Sequence, residues 1–259
     1  VLDYGIPSTD KFVIPEDGHS ITVNDFQFIY GSKIKKKINK KHIGILGTQL
    51  HSSTYSKDIN FFSTLKQNNI ISSYVWNLNY TSDDEGYLTI GEYPHEYSNK
   101  IYAEKDLKTT KAINISGLGR LLYHLLFDNV IYGDNNETLS GYKRAHLSPE
   151  YGIILGTSGY YRKVYNDTFK ELMDKSKCEK KIFDEDYLYI VCDENTEIKN
   201  FKKLTFMHKD LSSTEGFVLT KDDLFIKKNG KLIFLIAFEE YISKSSPYAW
   251  VFGKPFFKK

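Results

Sequence analysis

A chain of 259 residues, 41% apolar and 15% aromatic, has enough material for one large or two medium cores, which excludes a disordered chain. Its 35 basic and 33 acidic residues leave a net charge of only +2, so there is no electrostatic case for a nucleic-acid or membrane-surface partner. No apolar run approaches the roughly 20 residues of a membrane span, and the many tyrosines and phenylalanines favour strands.

In chain order, Gly5 to Ile14 is a first extended segment. Ile21 to Tyr30 then alternates apolar and polar residues (Ile21, Val23, Phe26, Phe28, Tyr30) with one slip near Asp25, as a half-buried strand does. Lys33, Lys35, Lys36, Lys37, Lys40 and Lys41 form a basic run that joins this strand to the apolar stretch Ile43 to Gly47. It reads as a solvated loop, with an anionic surface or glycan as the alternative ligand. A short helix follows at Phe61 to Lys66, then strands at Ser73 to Asn79 and Tyr87 to Ile90, with His95 in the loop beyond.

In the second half, Tyr151 to Ser158 (YGIILGTS) is the most informative run. Ile153, Ile154 and Leu155 make a buried strand, and Gly156 is expected to permit a bend that a side chain would block. From Tyr160 to Met173, residues Tyr161, Val164, Tyr165, Phe169, Leu172 and Met173 recur at three- and four-residue spacings, which is one helical face. Leu188 to Cys192, Leu204 to His208 and Leu232 to Phe238 are further strands. Asn229-Gly230, set between Leu224-Phe225-Ile226 and Leu232-Ile233-Phe234, is the strongest hairpin signal in the chain.

The composition offers little chemistry. The seven histidines (His19, His42, His51, His95, His124, His146, His208) have no paired spacing for zinc, so no metal is expected. Gly117-Leu118-Gly119 lacks the third glycine and preceding strand of a dinucleotide site, and no cofactor is expected. Ser158 has no Gly-x-Ser-x-Gly frame. Four glycosylation sequons begin at Asn79, Asn114, Asn136 and Asn166, the last on the predicted helix, where it must face outward to be modified. They imply a secreted or lumenal protein, at the extracellular surface or in the endolysosomal lumen, carrying N-linked glycans.

The strand, Gly-Thr-Ser turn and helix at Ile153 to Met173 resemble the second active-site element of pepsin-like aspartic proteases, where the motif reads Asp-Thr-Gly-Thr-Ser. Gly156, Thr157 and Ser158 match it, but Ile154 stands where the catalytic Asp belongs and Leu155 where the Thr belongs. The resemblance continues along the chain in the family's order. Gly5 to Ile14 is similar to the strand after the flap, with Asp10 and Phe12 in register, and Ile43 to Gly47 to the Gly-Ile-Leu-Gly turn. Phe61 to Lys66 with Ile70-Ile71-Ser72 resembles a helix followed by Ile-Ile-Ser, and Gly86 to Gly91 a glycine-bounded strand. Tyr123 to Gly133 resembles the first hairpin of the C-terminal lobe, and Trp250 to Phe257 the Trp-Ile-Leu-Gly segment near the end.

The resemblance implies an all-β, bilobal pepsin-like fold of double-ψ β-barrel type with few short helices. Residues 1–116 would be the C-terminal part of the N-lobe and residues 117–259 the C-lobe with its final strands missing. The first Asp-Thr-Gly belongs upstream of Val1. Cys178 and Cys192 sit where that lobe carries its disulfide, and the secreted or lumenal setting implied by the sequons favours that bond; free buried thiols are the alternative. Aspartic-protease chemistry needs two carboxylates sharing a proton and activating one water, the standard example of a split carboxylate pair. With Ile154 in the second position the dyad cannot form. Glu150 lies four residues back, about 13 Å along an extended strand, and Asp167 reads as a solvated or capping carboxylate. The expectation is therefore an inactive protease fold serving as a binding or structural glycoprotein, with a protein or peptide partner and possible membership of an extracellular assembly. The alternatives are a working aspartic endopeptidase whose catalytic residues lie elsewhere, and an inhibitor-like protein that recognises a partner through its outer surface, as some inactive members of this family do against glycosidases.

Overall fold

In a computed structural model of the chain, the described residues are 2–16, 19–34, 61–82, 85–93, 124–127, 129–133, 144–184, 187–208, 216–239 and 250–258. The chain contacts divide it into two units. The first holds the elements up to Leu78 together with residues 85–93. The second holds everything described from His124 onward, plus residues 79–82.

In the first unit, β1 (Leu2–Glu16) pairs antiparallel with β2 (His19–Ile34). The slip in the alternation near Asp25 is a β-bulge. Asp10 pairs with Phe26 but Phe12 pairs with Val23, and Asp25 takes a positive φ of 52° to absorb the extra residue. The bulge puts Phe12 and Phe26 on one face, stacked with ring centroids 4.7 Å apart, and both meet Phe61 edge-on. Phe61 belongs to α1 (Phe61–Gln67), which buries Phe62 and Leu65 with Val23 and Ile71. β3 (Trp76–Tyr80) and β4 (Gly86–Ile90) form a separate two-stranded sheet. Gly91, with φ of 94°, ends β4 and donates its N–H to the Val75 carbonyl at 2.7 Å.

In the second unit, β5 (His124–Leu126), β7 (Arg144–Leu147), β8 (Ile154–Gly156), β10 (Tyr187–Asp193), β13 (Phe225–Lys228), β14 (Lys231–Phe234), β15 (Ile236–Glu239) and β16 (Trp250–Phe252) join one sheet. Its order is β13-β14-β10-β15-β8-β16-β7-β5, with β9 (Cys178–Asp184) paired to β10. A second sheet has the order β12-β11-β6, from Gly216–Leu219, Leu204–Met207 and Asn129–Tyr132. The segment Tyr123 to Gly133 is thus not a hairpin. β5 pairs with β7 and β6 with β11, so two strands separated by two residues enter different sheets. Leu232 to Phe238 is likewise not one strand. It breaks at Leu235, whose N–H bonds the Leu224 carbonyl and whose own carbonyl accepts from Ile154, so β14 and β15 have different neighbours.

The Asn229-Gly230 turn forms as expected, with φ of 53° and 71° between β13 and β14. The helix after β8 runs from α2 (Ser158–Val164) through a π-helical turn (Tyr165–Phe169) into α3 (Lys170–Asp174). Within the π turn the Lys170 N–H reaches back five residues to the Tyr165 carbonyl. Tyr160, Val164, Thr168 and Phe169 are buried, while Tyr161, Tyr165, Leu172 and Met173 pack half-buried against them. The apolar face is the expected one, widened to include Tyr160 and twisted by the inserted residue. Around it, Phe206, Phe234, Phe238, Trp250 and Phe252 fill the core between the two sheets and the helix.

Candidate functional site

β8 and the turn after it are placed by backbone pairing on both sides. β8 runs parallel to β15, with Ile154 opposite Ile236 and Gly156 opposite Phe238, and antiparallel to β16 at Leu155 opposite Val251. The Ile154 N–H donates to the Leu235 carbonyl at 2.9 Å. Strand alternation sends Ile154 into the main core, where it is 0% exposed. Ile153 and Leu155 go to the opposite face, against Ala237 and the half-buried Tyr151, Tyr189 and Val251. A side chain at position 154 thus ends in hydrocarbon.

Gly156 is required for a reason other than a bend. Its φ is not in the left-handed region, but a Cβ added there would lie 2.9 Å from both the Phe238 ring and the Trp250 ring. Packing, not conformation, excludes a side chain. Gly253, which follows β16, behaves in the same way. A Cβ there would fall 2.2 Å from the Ile153 carbonyl and 2.4 Å from the Tyr151 carbonyl, and the Lys254 N–H donates to Tyr151 at 2.7 Å. Gly253 is the glycine of the segment similar to Trp-Ile-Leu-Gly, but nothing in the sequence places it against Tyr151 and Ile153. Thr157 is extended at φ −81° and ψ 152°, and its carbonyl accepts from the Tyr160 and Tyr161 N–H groups at 3.2 Å, which starts α2 behind Ser158.

The carboxylates considered as substitutes are elsewhere. Glu150 is exposed and sits in the turn before β8, not on the strand as extended spacing suggested. Asp167 accepts a 3.3 Å hydrogen bond from the Lys202 ammonium. Among the described residues no Asp or Glu side chain is buried, and no three His, Cys, Asp or Glu groups converge as metal ligands.

Two features lie outside the turn. Cys178 and Cys192 are directly opposite each other on β9 and β10 and form a disulfide, with Cα atoms 3.9 Å apart. His124 and His146, distant in sequence, are directly opposite on β5 and β7, with ring centroids 5.0 Å apart. Burial pushes His124 down to about 4, helped by the neighbouring His146 and Arg144. His146 is also lowered by burial, with Glu150 acting the other way. No spacing rule links positions 124 and 146, so this pair was invisible until the strand register was known.

Of the sequons, Asn79 is half-buried at the end of β3, and Asn166 is exposed on the π turn. His19 is the first residue of β2, opposite Glu16. Asn114, Asn136, the Ile43 to Gly47 turn, His42, His51, His95, Gly117 to Gly119 and the lysines from Lys35 to Lys41 lie outside what is described. Among the described residues no helix is long and apolar enough to cross a membrane.

No curated protein matches the sequence. Among solved structures, the chain is similar to basic 7S globulin from soybean (TM-score 0.68, 13% identity) over 98% of its own length and 67% of that chain. It is also similar to conglutin gamma, a basic 7S globulin from lupine seeds (TM-score 0.62, 12% identity), over 98% of its length and 62% of that chain. At such identities the likeness concerns the fold, which is the mostly stranded pepsin-like one. The sequence itself, from residue 5 to residue 259, fits the model of the eukaryotic aspartyl proteases, and with the strand, Gly-Thr-Ser turn and helix now placed, the chain belongs to that family.

Proposed function

We propose that the protein is a pseudoprotease: a secreted or lumenal glycoprotein that uses an aspartic-protease fold for binding or structure, not for peptide cleavage. The observation that carries this reading is Ile154, a hydrocarbon side chain with no exposed surface where the family's second catalytic Asp stands. Half of a water-activating pair is missing, and one carboxylate cannot serve as base and acid in turn. The degenerate motif Ile154, Leu155, Gly156, Thr157, Ser158 is accordingly non-catalytic. Residues 1–116 are the latter part of the N-lobe and residues 117–259 the C-lobe.

The Cys178–Cys192 disulfide supports an oxidising compartment, the extracellular space or the endolysosomal lumen. The sequons at Asn79, Asn114, Asn136 and Asn166 agree with that location. The partner is a protein or an extended peptide held by strand pairing, with apolar side chains favoured. The test is equilibrium binding. The chain is mixed with a library of apolar-rich decapeptides at pH 4 and pH 7, separated by gel filtration, and the co-eluting peptides are identified by mass spectrometry. Retention of intact peptides supports the reading. Peptides recovered as fragments, or no retention at either pH, count against it.

A further inference from the structure

The two described sequons sit on backbones of opposite geometry. In Asn79-Tyr80-Thr81 the acceptor is the half-buried last residue but one of β3, and Thr81, just beyond the strand, is exposed. In Asn166-Asp167-Thr168 the acceptor is on the π turn, where residues two apart point to different sides. Asn166 is exposed, while Thr168 is 6% exposed and its hydroxyl lies 3.0 Å from the Tyr132 hydroxyl. The Tyr132 oxygen also accepts the Lys202 backbone N–H at 3.3 Å, and the Lys202 ammonium holds Asp167, the middle residue of the sequon, at 3.3 Å. Every residue of this sequon except the acceptor is engaged by β6 or by the segment before β11.

Transfer of a glycan requires the enzyme to reach the asparagine amide and the hydroxyl two residues on at the same time. In the folded chain one of these faces solvent and the other faces Tyr132. We propose that Asn166 is an N-glycan acceptor only before the helix docks on β6, whereas Asn79 remains an acceptor in the folded protein. The outward Asn166 side chain then lets the fold close beneath a glycan already in place. Occupancy at Asn166 becomes a record of how long the nascent chain stayed open at the Tyr132–Thr168 contact. This inference rests on the lumenal glycoprotein reading above.

The experiment compares the full chain in two states, folded with its disulfide, and reduced, alkylated and unfolded, the unfolding checked by loss of near-UV circular dichroism. Each is incubated with purified oligosaccharyltransferase and a lipid-linked oligosaccharide, and occupancy is read site by site by mass spectrometry. Asn79 is expected to be modified in both states. At Asn166, occupancy is expected to be at least about tenfold lower in the folded chain, because access requires local opening of a buried contact. A Thr168→Val variant should lose Asn166 occupancy in the reduced chain. Equal Asn166 occupancy in the two states, or modification of Asn79 alone in both, overturns the inference and leaves the glycoprotein reading standing. Absence of modification at both sites in the reduced chain overturns the two together.

Discussion

Replacing Ile154 with Asp puts a carboxyl at the position proposed above for the family's second catalytic Asp, and the structure predicts that the fold will resist it. The isoleucine is 0% exposed, within a cluster of apolar side chains that includes Val164, Ile236 and Phe238. Removing the buried hydrocarbon costs about 2–5 kcal/mol by analogy with large-to-small core substitutions. Leaving a carboxyl there without a hydrogen-bond partner adds about 1–3 kcal/mol. A total of about 3–8 kcal/mol is a large part of the 5–15 kcal/mol typical of a folded domain.

The deficit is also pH-dependent. Burial raises the folded-state pKa of the new carboxyl above its unfolded value near 4, so the neutral form is the one the fold tolerates. Relative to the parent at each pH, the variant is least destabilised below about pH 4 and loses up to about 1.4 kcal/mol per unit as pH rises toward the raised pKa. Urea unfolding at pH 4 and pH 7, followed by the fluorescence of the buried Trp250 and by near-UV circular dichroism, reads both effects. Ile154→Val, at about 0.5–1.5 kcal/mol, is the packing control. If the Asp variant stays within about 1 kcal/mol of the parent at both pH values, position 154 opens onto a polar groove and the reasoning fails.

Gly156→Ala should cost about 1–3 kcal/mol in the same urea assay, because its methyl group must displace Phe238 and Trp250 from 2.9 Å contacts; a neutral or stabilising result would return the glycine to a purely conformational role. Cys178→Ala with Cys192→Ala should lower stability by about 3 kcal/mol, given the sequence separation of 14, and the parent under reducing conditions should match the double variant. The pairing of buried His124 with half-buried His146 should make the fold acid-sensitive. Both folded-state pKa values are depressed, so the unfolded chain takes up protons first. Stability is complete above about pH 6.5 and falls as pH drops toward about 4, by about 1 kcal/mol or more per unit. His124→Gln with His146→Gln should flatten that slope, and an unchanged pH dependence would remove the pair as its source.

The legible parts of the fold were the local ones. The Asn229-Gly230 turn, the Phe61 helix and the strand at Leu204 to His208 each depend on neighbours within a few residues. The slip at Asp25 also proved informative, marking a bulge that the alternation alone revealed. Illegible from sequence was whatever depends on distant partners. β5 and β6 looked like two halves of a hairpin, yet each finds its partner far along the chain. Gly156 signalled a turn, but what fixes it is the approach of Phe238 and Trp250. The π turn buries both Thr168 and Phe169, and an i, i+4 pattern does not anticipate it. The disulfide followed from the family resemblance and the oxidising setting that the sequons imply, and not from spacing.

The central claim is that this family member does not cut peptides, and the direct measurement is an endopeptidase assay. Acid-denatured protein substrates and fluorogenic peptides are incubated with the purified chain from pH 3 to pH 7, with and without a peptide that mimics the tetrahedral intermediate. The account predicts no cleavage above a no-protein control at any pH, and no difference between the parent and Ile154→Val. Cleavage that is abolished by the tetrahedral mimic and that scales with the concentration of the chain would contradict it.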